Sequence, residues 1–183
     1  MERVSGSFLL LDRDGTLIVE KNYISNPAQV ELLPGAVEGL KSLQRAGFQF
    51  ILLTNQSGVG RGLFTELDVD LVHDRLRQLL HAEGIELAAI YLCPHAPAEN
   101  CACRKPLPKL ALDAASDFGF DLRNTWMIGD KQVDVELARN IGARSILVRT
   151  GYGRETEAAG VSADYIADDL VEASRHLLPA SQP

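Results

Sequence analysis

Five times along this chain a short apolar run, at 8–11, 48–53, 88–92, 125–128 and 145–148, is followed by a longer stretch in which only one face is apolar or which opens a turn. The runs alternate little between polar and apolar residues, so each is expected to be a strand buried on both faces. Val37, Leu40 and Leu43 mark a helix over 35–46 that stops at Gly47. Thr65 caps a longer helix with Glu66 in its first turn, an apolar stripe of Leu67, Leu71, Val72, Leu76, Leu79 and Leu80, and a stop at Gly84. A helix over 108–118 ends at Gly119, and another reaches about Asn140 before Gly142. A short sixth strand at 165–166 and a helix around 170–178 complete the pattern. Strands of this kind, separated by amphipathic helices, dictate an α/β fold with a parallel sheet covered on both faces. The one long irregular stretch, 18–34, follows the first strand. Long loops at the carboxyl edge of a sheet are usually functional.

In an open parallel sheet, ligands bind just outside the carboxyl ends of the strands. The first strand ends in Asp12-Arg13-Asp14-Gly15-Thr16. Two such carboxylates can divide labour, one as nucleophile and metal ligand, the other as general acid and base. Taken alone they fit a turn with solvated acids equally well. The second strand leads to Thr54-Asn55-Gln56-Ser57-Gly58, whose hydroxyls, amides and turn can bind phosphate oxygens, or form an ordinary loop or cap. After the third comes Arg104-Lys105-Pro106, two cations that can hold a phosphoryl group or lie solvated on the surface. The fourth leads to Gly129-Asp130-Lys131-Gln132-Val133-Asp134. Asp130 and Asp134 lie one helical turn apart and can point the same way, an arrangement suited to Mg²⁺ or to capping a helix.

In this order and spacing, over roughly residues 7–150, the four segments resemble the motifs of the haloacid-dehalogenase-like phosphatases. The resemblance implies a Rossmann-like three-layer sandwich and a catalytic set of Asp12, Asp14, Thr54 and Lys105. Asp12 would be the nucleophile that forms an aspartyl-phosphate. Asp14 would protonate the leaving alkoxide and then deprotonate the attacking water. Mg²⁺ would sit on the Asp12 carboxylate, the Asp14 backbone carbonyl and Asp130, while Thr54 and Lys105 stabilise the transferred group. Asp134 would orient Lys105 or a metal-bound water without binding the metal directly. The charges agree, since a carboxylate approaches an anionic phosphate only where cations offset the repulsion. The chain is expected to be one domain over 1–183, with 179–183 a frayed tail. The intervals after Asp14 and after Thr54 leave no room for a cap domain, so loops 18–34 and 93–105 should form the walls of an open site.

All three cysteines, Cys93, Cys101 and Cys103, lie in one segment with His95. An odd count makes poor material for a disulfide framework. Three thiolates and one imidazole are a structural zinc set, and four protein ligands leave no open position. Zn²⁺ would then fix the small loop that ends at Arg104-Lys105. With this loop, the motifs are similar to the branch of the family that includes heptose-bisphosphate and histidinol phosphatases. The heptose members imply a small phosphorylated sugar as substrate. They also imply substrate contacts at Glu20, Lys21, Asn22, Tyr23, Thr54, Asn55, Gln56, Ser57, Arg104, Lys105 and Lys131. The segment between His95 and Cys101 is short compared with the enterobacterial members, and that loop helps select the substrate.

Composition narrows the partners. A net charge of −7 argues against nucleic-acid and anionic-membrane surfaces, although a local cationic cluster can still hold phosphate. No apolar stretch approaches a membrane span, and residues 1–6 do not have the pattern of a signal peptide. A cytoplasmic monomer is the expectation. A histidinol-phosphate or other small-molecule phosphatase is the nearest alternative. A zinc-stabilised binding module without catalysis is a different class, against which every expected catalytic position is filled.

Overall fold

In the computed structural model, which describes residues 7–178, the apolar runs are strands of one parallel sheet. These are β1 (Ser7–Leu11), β2 (Phe48–Asn55), β3 (Leu87–Cys93), β4 (Trp126–Gly129), β5 (Arg144–Val148) and the short β6 (Tyr165–Ala167). They lie in the order β3-β2-β1-β4-β5-β6. The helices are α1 (Ala36–Arg45), α2 (Ser57–Gly60), α3 (Glu66–Ala82), α4 (Lys109–Phe118), α5 (Gln132–Ile141), α6 (Gly153–Ala158) and α7 (Leu170–Leu177). The tail expected at 179–183 and the reading of residues 1–6 lie outside the described residues. Among the described residues, no helix is long and apolar enough to cross a membrane.

Successive strand side chains point to opposite faces of the sheet. Leu9, Leu11, Phe50, Leu52 and Ile128 pack with Leu40 of α1, Val72 and Leu76 of α3 and Ala173 of α7. Phe8, Leu10, Ile51, Leu53 and Met127 pack on the other side with Leu110 and Ala114 of α4 and Leu137 of α5. Both faces are covered by helices, which is why the runs show so little alternation. The result is a Rossmann-like α/β/α sandwich. The chain runs outward from β1 through β2 to β3, then returns to place β4 on the other side of β1. The strand order therefore reverses at the β1–β4 crevice, the place where open α/β sheets take their ligands.

The structure changes three local expectations. Strand β2 continues through Thr54 and Asn55, because their backbones pair with β3 as far as Cys93. The stripe of α3 is shifted: Leu67 and Leu71 are exposed, while Val69 and His73 are buried beside Val72, Leu76 and Leu80. The stretch 18–34 is less irregular than it reads. Ile18 forms bridges to Asp14 and Leu32, Leu33 N–H donates to Leu17 O, and Leu17, Ile18, Ile24 and Val30 are buried.

Helices α1 and α7 meet at Gly39, where a Cβ would lie 2.4 Å from the Leu170 carbonyl oxygen. Gly→Ala inside a helix normally stabilises by about 0.5–1 kcal/mol. Here the sign reverses: Gly39→Ala is expected to lose about 1–3 kcal/mol through overpacking, read as a lowered urea midpoint with an unchanged m-value.

Candidate active site

The backbone N–H of Asp12 donates to Ile128 O at 2.9 Å, carrying the β1–β4 pairing one residue past the strand and setting Asp12 over the crevice. The chain then turns sharply at Gly15, whose φ is +82°. A Cβ at Gly15 would come within 2.2 Å of Asp130 Oδ2, so only glycine lets the end of β4 approach the turn after β1. Across the crevice, the loop after β5 closes the same corner. Tyr152 N–H donates to Asp130 Oδ2 at 2.8 Å, and Thr150 Oγ1 donates to Gly15 O at 2.6 Å.

Lys105 is the hub. Its Nζ donates to Asp12 Oδ1 at 2.7 Å, Asp134 Oδ1 at 2.7 Å and Leu53 O at 2.8 Å. These acceptors use all three of its protons, and the residue is 2% exposed. Its backbone is pinned as well: Asn55 Oδ1 accepts from Lys105 N at 3.0 Å, and Asn55 Nδ2 donates to Lys105 O at 3.1 Å. Burial alone would favour a neutral amine, but the facing Asp12 and Asp134 carboxylates hold the Lys105 pKa above its usual value. Burial likewise opposes ionisation of Asp12, and the charges of Lys105 and Lys131 outweigh it, leaving that carboxyl below its usual range.

For Asp130 the charge of Lys131 and the Tyr152 N–H compensate only in part. Burial, followed by repulsion from Asp12, pushes its carboxyl up to about 8. Its Oδ1 is buried without a hydrogen-bond partner. Asp134 has both oxygens engaged, Oδ1 by Lys105 and Oδ2 by Lys131 N–H at 3.1 Å, and burial still lifts it to about 6. Asp12, Asp130 and Asp134 each bring an oxygen within 4.8 Å of the others. A buried, all-oxygen cluster in which Asp130 Oδ1 is left unpartnered fits a small divalent cation such as Mg²⁺.

Asp12 and Asp134 lie in the lining of a cavity of about 570 Å³, within the usual range for small-molecule sites. Asp12, Asp14, Asn55, Gln56, Ser57 and Lys105 line its base, and Glu20, Asn22, Tyr23, Arg104 and Lys131 line its walls. Thr54 is fully buried beneath the base, where its Oγ1 accepts from Gln56 Nε2 at 2.8 Å. Lys21 does not line the cavity. Its ammonium is tied instead to Gln29 O and Glu31, both at 2.9 Å. On the far wall Lys131 pairs with Glu20 at 2.9 Å and lies 5.1 Å from the ring centroid of Tyr152. The Tyr152 hydroxyl in turn reaches Asn22 Oδ1 at 3.3 Å.

Sequence reasoning did not single out Tyr152, because the segment after β5, Arg149-Thr150-Gly151-Tyr152, lacks the paired carboxylates that mark the ends of β1 and β4. It also passed over Arg13 and His73. Arg13 is fully buried and grips Asp14 with Nε and Nη2, while its Nη1 meets His73 Nε2 at 3.2 Å. The signal available was a histidine in phase with the buried stripe of α3.

Cys93, His95, Cys101 and Cys103 converge at the end of β3, with ligand atoms within 4.8 Å of one another. Cys93–Cys101, Cys101–Cys103, Cys93–His95 and His95–Cys103 contacts span 3.2–3.7 Å, and Cys93–Cys103 is 2.9 Å. A tetrahedron with zinc–sulfur bonds of about 2.3 Å has edges of about 3.5–3.8 Å, so three of the five contacts match its dimensions and the two others, His95–Cys103 and Cys93–Cys103, are shorter. No disulfide links them. Burial raises the Cys93 and Cys103 thiols. Cys101 falls to about 7, because backbone N–H groups of Arg104 and Cys103 outweigh its desolvation. The donor set fits zinc. The loop it would hold is wired to the cavity by Arg104 Nη1, which donates to His95 O at 3.3 Å. Helix α2 packs so tightly on the loop that a Cβ at Gly60 would lie 2.4 Å from Ala96 N.

A sequence model described as HAD-hydrolase-like matches residues 102–173. Over 172 residues the chain is 37% identical to a D-glycero-beta-D-manno-heptose-1,7-bisphosphate 7-phosphatase of Pseudomonas putida, covering 93% of this chain and 98% of the relative. The chain belongs to the haloacid-dehalogenase-like phosphatases. The Helicobacter pylori enzyme of the same name is 41% identical over 141 residues, 76% of this chain and 82% of its own. The crystal structure of the Bordetella bronchiseptica D,D-heptose 1,7-bisphosphate phosphatase, complexed with magnesium and phosphate, superposes with a TM-score of 0.88. It is 34% identical, over 93% of this chain and 97% of that one.

The raised Asp130 carboxyl of the phosphatase has a measurable consequence. Between its ordinary 3.8 and about 8, the folded state keeps a proton that the unfolded chain has lost, so this group makes stability fall as pH rises through that window. In chelator, Asp130→Asn should therefore be more stable than wild type by roughly 1–3 kcal/mol near pH 8, with little difference near pH 4. Urea unfolding at the two pH values, repeated with saturating Mg²⁺ to reverse the order, checks this.

Proposed function

We propose that this phosphatase removes the C7 phosphate of D-glycero-D-manno-heptose 1,7-bisphosphate in nucleotide-activated heptose biosynthesis. The single observation that carries the chemistry is the Lys105 hub, which fixes an ionised Asp12 at the base of an open cavity with Arg104 and Lys131 on its walls. The substrate follows the relatives that share nearly the whole chain.

Asp12 attacks phosphorus in line, and the bond from phosphorus to the C7 oxygen breaks as Asp14 gives that oxygen a proton. An aspartyl-phosphate remains on Asp12. Asp14, now a carboxylate, takes a proton from the incoming water as the water oxygen bonds to phosphorus. Cleavage of the acyl phosphate then frees inorganic phosphate and restores Asp12. Lys105 and Thr54 hold charge and orientation at the transferred group, with Asp134 keeping Lys105 in place. Mg²⁺, when held by Asp12, the Asp14 carbonyl and Asp130, supplies the positive charge that offsets repulsion between nucleophile and phosphate. Arg104, Lys131, Glu20, Asn22, Tyr23, Asn55, Gln56 and Ser57 surround the rest of the substrate. Zn²⁺ on Cys93, His95, Cys101 and Cys103 has a structural role, holding the segment that delivers Arg104 and Lys105. In this proposal residues 1–183 form one domain, and the protein acts as a cytoplasmic monomer with no nucleic-acid or membrane partner.

A panel of phosphate esters with Mg²⁺ tests the substrate: both anomers of the heptose bisphosphate, histidinol phosphate and a 3′-phosphorylated oligonucleotide. The heptose bisphosphate is expected to give the highest kcat/KM. Fast histidinol-phosphate hydrolysis beside negligible heptose turnover would overturn the assignment. Asp12→Asn should lower phosphate release at least about 10³-fold, and an unaffected variant would remove the proposed nucleophile. Metal analysis should find about one zinc per chain, with Cys103→Ser losing zinc and phosphatase activity together.

A further inference from the structure

The mechanism gives no task to the buried pair Arg13 and His73, although the pair touches the residue that moves the proton. Arg13 Nε donates to Asp14 Oδ2 at 3.0 Å and Nη2 to Oδ1 at 3.1 Å. Gln56 Nε2 adds a second donor to Oδ2 at 2.8 Å. Each carboxylate oxygen has two lone pairs. Oδ2 is therefore filled, while Oδ1 keeps one site open to a proton on a side chain that lines the cavity.

Behind the guanidinium stands His73, 3.2 Å from Nη1. A guanidinium can only donate, so Nε2 must accept. Burial, then the charges of Arg13 and Arg77, draws His73 down to about 3, so the ring is neutral and able to accept. His73 belongs to α3, whose neighbouring residues Val72 and Leu76 are locked in the core. The attitude of Asp14 is thus referred through two side chains to a helix in the outer layer. A buried ion pair contributes little stability that apolar groups of the same volume would not match, which favours a role in geometry.

We propose that Arg13, backed by His73, is a positioning residue that holds the Asp14 carboxyl with Oδ1 presented for proton transfer to the leaving oxygen. This rests on the reading of Asp14 as the proton-transferring group. The pair needs no direct contact with substrate. Its effect is confined to reactions that need the proton, because a misaligned acid loses rate where the leaving group is basic and little where it departs unaided.

The experiment compares kcat/KM for the best alkyl phosphate of the panel with that for p-nitrophenyl phosphate, whose leaving group needs no proton. This parameter reports steps up to formation of the aspartyl-phosphate and is blind to its later hydrolysis. Asp14→Asn, the reference, should lower the alkyl-to-aryl ratio by about 10²–10⁴. Arg13→Met and His73→Leu should each lower it at least about tenfold, and His73→Gln, which keeps an acceptor, should restore it to within about threefold. If Asp14→Asn shifts the ratio while Arg13→Met and His73→Leu depress both substrates equally, the pair is only structural and the proposal falls. If Asp14→Asn leaves the ratio unchanged, the assignment of Asp14 itself fails and takes the proposal with it. Should Arg13→Met not fold, the two His73 variants decide, with circular dichroism as the check on their structure.

Discussion

The polar half of this protein depends on one buried ammonium. Lys105 Nζ joins Asp12 at the end of β1, Leu53 O on β2 and Asp134 in the first turn of α5, while Lys105 itself comes from the segment that follows β3. One cation thereby ties together four places that the sheet brings to the same edge. Without it, three carboxylates would face one another out of water, where like charges a few ångströms apart repel far more strongly than on the surface. The requirement runs both ways. A buried lysine keeps its charge only because those carboxylates surround it.

The compensation stops short of neutrality, and that shortfall is what makes the edge reactive. Asp130 retains an unpartnered oxygen beside an ionised Asp12. The residual negative charge suits a divalent cation, and the Arg104 and Lys131 side chains on the walls suit a phosphate arriving from solvent. The second metal-type cluster works at a distance. The cysteine loop delivers Arg104 and Lys105 and is braced by the close approach of Gly60, so its order bears on the hub without its ligands entering the cavity.

Much of this was legible in the residues. The five longer strands and helices α1, α3, α4, α5 and α7 lie where apolar runs and periodic stripes place them, because a strand covered on both faces must be apolar throughout, whereas the short helix α6 carries no such stripe and was not read. Asp12, Asp14, Thr54 and Asp130 come together because each sits at or just past a strand's carboxyl end, and the loop that follows β3 brings Lys105 to the same edge. Where the reading failed, it counted hydrophobicity and missed pairing. In α3, Leu67 and Leu71 scored as core and His73 did not, yet His73 is buried because Arg13 offers it a donor. Lys21 stands in the right segment for substrate contact, and Gln29 and Glu31 turn it aside. Helix α2 was hidden in a glycine-containing stretch that reads equally well as a loop.

By itself the sequence determined the layering, the parallel sheet and the edge at which chemistry collects, since these follow from local periodicity and from which residues end each strand. Tertiary structure alone decided which oxygen meets which nitrogen. Lys105 and Asp12 lie 93 residues apart and Arg13 and His73 lie 60 apart. No local pattern encodes the side-chain directions that bring such pairs within 2.7 and 3.2 Å. Those directions are set by the packing of helices on the sheet, and they determine which buried charges are answered and which is left open at Asp130.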